Sequence, residues 1–331
     1  MDYKGSQVVE LVNLNNIFVL DVLTSDFCNY SCWYCWPGAH AGTTKLPALS
    51  DLAKNNLRHI IKSLQGDNQL VVKFSGGEPT IWQHIEDYCN FFKEEFNAKI
   101  EIITNGSRTI RWWKKNLDII DYVAVSVHPL EADINHLVEL GKLFLENNKM
   151  HSMRVSVVPG SVDLVNTFAK KLTDNGIYVS PKYLNLTYLE NPPEEGSNVE
   201  HWDPKMYKDE KIDREAFWNR KGKAEQIYYP NTEIETKQSK EKWEKLSLKY
   251  FEGDWRGYNC LAPAEYIFLN FAGKIQLTCK NNIQEDIDSL KIYEVDYTGK
   301  QFTKSVMCDT GFCKCEGLWN CLLYTSDAAD E

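Results

Sequence analysis

The chain has 331 residues, 43% of them hydrophobic, and a formal net charge of −10. That length suits two domains or one large barrel with an appendage, and the acidic balance argues against a protein built to coat a nucleic-acid backbone, for which a basic stripe is expected. No apolar run approaches the ~20 residues that a membrane-spanning helix requires, and the first one, Ile17-Phe18-Val19-Leu20, is cut by Asp21 and does not read as a signal peptide.

Residues 1–16 are polar and read as an entry segment. Phe18 to Thr24 is predicted as a strand that delivers the chain to Cys28-Asn29-Tyr30-Ser31-Cys32-Trp33-Tyr34-Cys35, a C-x3-C-x2-C spacing. Ser50-Asp51 caps a helix running to Leu64, with Leu52, Asn56, Ile60 and Leu64 near helical spacing. Leu70 to Phe74 is an apolar strand followed at once by Ser75-Gly76-Gly77-Glu78-Pro79. The alternation continues with a helix from Ile81 to Phe96, a strand from Lys99 to Thr104 ending in Asn105-Gly106, and a helix from Thr109 to Asn116. Then come a strand from Tyr122 to Val127, a helix from Asp133 to Asn147, a strand from Met153 to Val158, a helix from Val162 to Asn175 stopped by Gly176, and a strand from Tyr178 to Tyr183. The βα alternation with about six strands is an α/β pattern, and the strands read as the continuous apolar runs of buried parallel sheets. A doubly wound sheet and a partial barrel share that pattern.

Residues 184–259 break it. Asn191-Pro192-Pro193-Glu194-Glu195-Gly196 is a breaker cluster, and the polar stretch beyond carries aromatic residues such as Trp202, Trp218 and Trp243, read as packing a connecting or capping segment onto the main unit, with the lining of a substrate groove as the alternative. From Cys260 a second cysteine-rich region follows, residues 260–320. Glu265 to Phe271 and Lys274 to Cys279 form a predicted β-hairpin through Ala272-Gly273, and Cys308, Cys313 and Cys315 come after it. Residues 321–331 look like a translated sequencing adapter, since plausible codons for Cys321-Leu322-Leu323-Tyr324-Thr325-Ser326 spell a transposon end used in library preparation. On that reading Cys321 is no ligand and the native C-terminus is missing, so the stretch is set apart from fold reasoning.

Ten cysteines in a chain without an export signal fit a reducing compartment, the cytoplasm, where metal ligation is commoner than disulfides. Three thiols on one loop are odd in number for a disulfide framework. They suit three corners of a [4Fe-4S] cube, which normally takes four thiolates, and the fourth iron then keeps an open position. A zinc site of Cys28, Cys32, Cys35 and His40 is the alternative. Cys89 reads as a small buried hydrophobe, His128 as a structural histidine and Arg154 as a surface arginine.

The cysteine spacing, with Tyr34 just before the last thiol and Gly76-Gly77-Glu78-Pro79 about 40 residues on, resembles the radical S-adenosylmethionine (radical SAM) superfamily over residues 17–183. The resemblance implies a partial (β/α)6 TIM-like barrel with its chemistry at the C-terminal strand ends. It implies a catalytic [4Fe-4S] cluster on Cys28, Cys32 and Cys35 and a binding site for S-adenosylmethionine. Gly76, Gly77, Glu78 and Pro79 would meet the methionine moiety, Asn105 and Ser126 the ribose, and Tyr34 the adenine. The distal thiols resemble the twitch and SPASM modules that hold an auxiliary [4Fe-4S] cluster. Here Gly273 stands six residues before Cys279, one more than the family pattern, and the later pair is replaced by Cys308-x4-Cys313-x-Cys315. The auxiliary ligands are therefore some of Cys260, Cys279, Cys308, Cys313 and Cys315, with zinc an alternative there as well. The activity implied is hydrogen-atom abstraction from a peptide or small molecule, with an electron donor such as flavodoxin or ferredoxin as partner and neither membrane nor nucleic acid. The other class of reading is a non-catalytic zinc protein.

Overall fold

The computed structural model describes residues 17–35, 41–157, 161–177, 179–183, 259–260, 262–277, 289–304 and 306–307. The entry segment, the connecting segment up to residue 258, His40, Cys279, Cys308, Cys313, Cys315 and the adapter-like tail lie outside the described residues, and Cys260 is described by its backbone only.

The first half runs β1 (Ile17–Leu23), β2 (Ser25–Phe27), β3 (Ala41–Lys45), α1 (Asp51–Gln65), β4 (Gln69–Ser75), α2 (Ile85–Phe96), β5 (Lys99–Thr104), α3 (Ile110–Asn116), β6 (Tyr122–Val127), α4 (Ile134–Glu146), β7 (Met150–Val157), α5 (Val162–Asp174) and β8 (Ser180–Tyr183). The described C-terminal elements are β9 (Asn259–Cys260), the one-turn α6 (Ala262–Glu265), β10 (Tyr266–Leu269), β11 (Lys274–Gln276), β12 (Leu290–Lys291) and β13 (Val306–Met307).

β1, β4, β5, β6, β7 and β8 are neighbours in that order, and every pair is parallel. The order never reverses. Right-handed crossovers that all step the same way put every helix on one face of the sheet. This is the winding of a partial barrel; a doubly wound sheet needs a reversal point. The strand faces differ accordingly. Phe18, Leu20 and Val22 of β1, Leu70, Val72 and Phe74 of β4, and Val123, Val125 and Val127 of β6 are buried toward the helices. The alternate positions, on the opposite face by the two-residue period of a strand, hold Asp21, Lys73, Glu101, Ser126 and Ser156. The strands are thus not apolar on both faces, as their sequence suggested; the inner face mixes these polar residues with apolar ones such as Val19, Val71 and Ile103.

The helices form for local reasons. In α1 the Ser50 side chain accepts from the Ala53 N–H at 3.2 Å, and Ala53, Asn56, Leu57, Ile60, Ile61 and Leu64 make one buried face. The predicted helix from Ile81 begins at Ile85 instead. Pro79–Ile81 is a single 3-10 turn, and Trp82 is extended, with its indole N–H given to the Leu46 carbonyl at 3.0 Å. Two features were not foreseen. Between the cysteines and α1 the chain returns as β3, antiparallel to β2. The distal hairpin forms as predicted, with Gly273 at φ +73°, but β10 pairs in parallel with β1 and so extends the main sheet to nine strands. Asn56 fastens this addition: its amide donates to the Ile292 and Val295 carbonyls, both at 2.8 Å, and its oxygen accepts from the Tyr297 N–H at 2.8 Å.

Asp121, just before β6, joins three elements. It accepts from Lys93 Nζ of α2 at 2.7 Å and from the Ile100 N–H of β5 at 2.9 Å, with Lys99 Nζ at 3.5 Å. Burial pushes its pKa up, but the hydrogen bonds from Lys93 and Ile100 and the two lysine charges outweigh this and hold it below the usual 3.8. A carboxyl so depressed stabilises the fold above its unfolded pKa and ceases to as pH falls through its folded value. Asp121→Asn should therefore lower thermal stability near neutral pH by roughly 1–3 kcal/mol, and the gap to the unmodified protein should close below pH 3.8. Circular-dichroism melts across a pH series check this; a gap that persists unchanged into acid would contradict it.

Candidate metal centre and cofactor site

The cysteine loop sits where β1 and β4 end. Their parallel pairing runs to Leu23 opposite Ser75 and does not stop there. The Thr24 N–H donates to the Ser75 carbonyl at 2.9 Å, the Gly77 N–H to Ser25 at 2.8 Å and the Glu78 N–H to Phe27 at 2.9 Å. The lead-in to Cys28 is thus stitched to Gly76-Gly77-Glu78, and both glycines are needed for it. Gly76 has φ +121°, and a side chain there would meet the Ser25 carbonyl oxygen at 2.6 Å. At Gly77 a β-carbon would overlap the Phe27 carbonyl. The two glycines therefore carry a close approach of the chain to itself.

Glu78 is fully buried. Its Oε1 accepts from the Thr80 N–H at 3.0 Å, the Thr80 hydroxyl at 2.5 Å and the Thr104 hydroxyl at 2.7 Å, and its Oε2 from the Asn105 N–H at 2.7 Å. Burial pushes its pKa up, against these four hydrogen bonds. The carboxyl joins the end of β4 to the end of β5, a role its position in a glycine-rich segment does not announce. Pro79 opens the 3-10 turn beneath it.

Asn105 follows β5. Its amide nitrogen lies 3.5 Å from Cys28 Sγ and 3.1 Å from Asn29 Oδ1, while its oxygen accepts from the Ser107 N–H at 2.9 Å. Cys28 Sγ also receives the Tyr30 N–H at 3.4 Å. Ser126 lies on the inner face of β6, in register with Arg154 of β7. Tyr34 is buried; its hydroxyl and His128 Nδ1 are hydrogen-bonded at 2.9 Å, and the two rings stack with centroids 5.7 Å apart. Burial, with the charge of Lys182, drops the His128 pKa to about 4, so the ring is neutral near pH 7. His128 therefore has a partner that lies 94 residues away in sequence.

Cys28 and Cys35 are half-buried and Cys32 is buried. Burial pushes the Cys28 thiol pKa up and that of Cys32 to about 12. Such thiols give up their protons only to a strong local positive charge, which a bound metal supplies. Among the described residues, no group of three His, Cys, Asp or Glu side chains is close enough to hold a single metal ion. Soft thiolates on one loop, with N–H donors already aimed at Cys28 sulfur, fit the cube.

Residues 22–152 match the family model of the radical SAM superfamily, whose enzymes use a [4Fe-4S] cluster and S-adenosylmethionine. The chain is 27% identical over 125 residues to the GTP 3′,8-cyclase of Pasteurella multocida (strain Pm70), covering 37% of this chain and 36% of that protein. It is 26% identical over 121 residues to the radical SAM cyclopropyl synthase TigE of Paramaledivibacter caminithermalis, covering 32% and 26%. The chain thus spans about a third or less of the length of these curated relatives. Among solved structures, anSMEcpe with bound AdoMet aligns at a TM-score of 0.52 and 15% identity over 86% of this chain and 82% of that one. The same protein with AdoMet and the Cp18Cys peptide aligns at 0.51 and 14% over the same shares. At such identities the likeness is one of fold. The family model covers residues 22–152, and the contacts that Glu78 makes with Asn105 and His128 with Tyr34 lie within that stretch.

The stitched ladder predicts that Gly77→Ala forces Phe27 and the Cys28 lead-in apart. Its cost should be roughly 3 kcal/mol, read as a lower melting temperature together with reduced iron uptake. Wild-type melting and iron content would contradict the close approach.

Proposed function

We propose that this chain is a radical SAM enzyme that reductively cleaves S-adenosylmethionine and abstracts a hydrogen atom from a peptide or small-molecule substrate. The observation that carries the proposal is the C-x3-C-x2-C loop itself, held at the C-terminal mouth of six parallel strands by the Gly76-Gly77-Glu78 ladder. When bound there, the cluster and S-adenosylmethionine would supply one-electron chemistry at a sulfonium and, from it, a 5′-deoxyadenosyl radical.

The chain's own residues prepare that chemistry. Cys28, Cys32 and Cys35 are the cluster ligands and leave one iron for the cofactor. Glu78 holds two strand ends together at the mouth, and Ser126 offers a hydroxyl on the inner face beside it. On the inner face Asp21, Lys73 and Glu101 stand in register across β1, β4 and β5, with Asp21 also accepting from the Ser75 and Tyr266 hydroxyls, and this polar row would face a polar substrate. A solved structure of matching fold holds a peptide, and a curated relative is a GTP cyclase; both substrate classes fit a polar interior. Some of the distal thiols, Cys260, Cys279, Cys308, Cys313 and Cys315, hold an auxiliary cluster in this reading. A one-electron protein donor of the flavodoxin or ferredoxin class works with the enzyme in the cytoplasm. Among the described residues no helix is long and apolar enough to cross a membrane.

Cys32→Ala should abolish cleavage of S-adenosylmethionine by the reduced protein, read as loss of 5′-deoxyadenosine by chromatography. Cys279→Ala should spare that cleavage while lowering iron content. Full cleavage in Cys32→Ala would end the proposal.

A further inference from the structure

We propose that Asn105 is a positioning residue for the cluster loop, donating a hydrogen bond to the Cys28 sulfur and thereby raising the reduction potential of the group Cys28 holds. The inference rests on the cluster assignment above and goes beyond it.

The orientation of the amide is fixed by its neighbours. A backbone N–H can only donate, so the Ser107 N–H, 2.9 Å away, must meet the Asn105 oxygen. The NH2 group then necessarily faces the other side, where Asn29 Oδ1 lies at 3.1 Å and Cys28 Sγ at 3.5 Å. Those two acceptors use both of its hydrogens. The backbone of Asn105 is itself held, since its N–H is given to the buried Glu78 carboxyl at 2.7 Å. Asn29 is held from two sides, because the Ser107 hydroxyl donates to the same Oδ1 at 3.2 Å. A run of fixed contacts thus leads from Glu78 through Asn105 to the sulfur.

An N–H donor on a ligating sulfur stabilises negative charge there. The reduced form of an iron–sulfur group carries one more negative charge than the oxidised form, so the hydrogen bond favours reduction. Hydrogen bonds to the sulfurs are among the factors that set such potentials. A ribose contact by the same amide would require these donors to leave Cys28 and Asn29.

The test uses the full chain, purified and reconstituted with iron and sulfide without oxygen, and titrated with a chemical reductant while the reduced signal is followed by electron paramagnetic resonance. Asn105→Leu keeps the bulk and removes the donor; Asn105→Asp keeps the shape, removes the donor and adds negative charge. Both should load iron and show a midpoint shifted to more negative potential, by roughly tenfold in the one-electron equilibrium for Leu and by more for Asp. Should neither load, Asn105→Gln, which retains an amide donor, should restore iron uptake. Unshifted midpoints with weakened S-adenosylmethionine binding would assign Asn105 to the cofactor and overturn the inference. Unshifted midpoints with unchanged binding, or failure of all three variants to load, would overturn it in favour of a purely structural role. An unmodified chain that takes up no iron defeats the cluster assignment itself, and that result appears before any variant is made.

Discussion

Everything at the open end of this barrel depends on two backbones running closer together than side chains allow. The pairing of β1 with β4 continues past both strands because Gly76 and Gly77 present no β-carbon to Ser25 and Phe27. Three main-chain hydrogen bonds then carry the chain to Cys28 as an extension of the sheet. A thiol delivered by a free loop would have to be ordered when its ligand binds, at about 1–2 kcal/mol for each backbone residue fixed. Here that ordering is done by folding, and the site is largely preformed up to its first ligand.

The same economy explains a buried carboxyl. Placing Glu78 out of water is unfavourable unless its oxygens are satisfied, and four donors from Thr80, Thr104 and Asn105 satisfy them. Two of those residues end β5, so the group that cannot tolerate being left alone locks the neighbouring strand to the cysteine loop. Asn105 transmits the constraint to Cys28, and His128 does the equivalent for Tyr34 from the end of β6. The ends of β5 and β6 thus both contribute fixed contacts to the same eight-residue loop.

Much of this was legible in the sequence. The apolar strand runs, the Ser50 cap and the glycine stops reveal the alternation because they act over a few residues. The cysteine spacing and Gly76-Gly77-Glu78-Pro79 are local too. The contacts that fix the site are not: Glu78 meets Asn105 across 27 residues, Tyr34 meets His128 across 94, and Asn56 meets Tyr297 across 241. Nothing in a β-hairpin at 266–276 reveals that its first strand pairs with β1 rather than standing in a separate module. The polar residues at alternate strand positions did carry a signal, since Asp21, Lys73 and Glu101 share one face by a period of two, but apolar content masked it.

The central claim is that three thiolates of one loop hold a cube with one iron left open. Mössbauer spectroscopy of the iron-57-reconstituted protein, recorded before and after adding S-adenosylmethionine, tests it most directly. The account predicts a [4Fe-4S] spectrum in which a single iron site changes when the cofactor is added. A spectrum unmoved by the cofactor, or a protein that takes zinc in place of iron at the Cys28 loop, would contradict it.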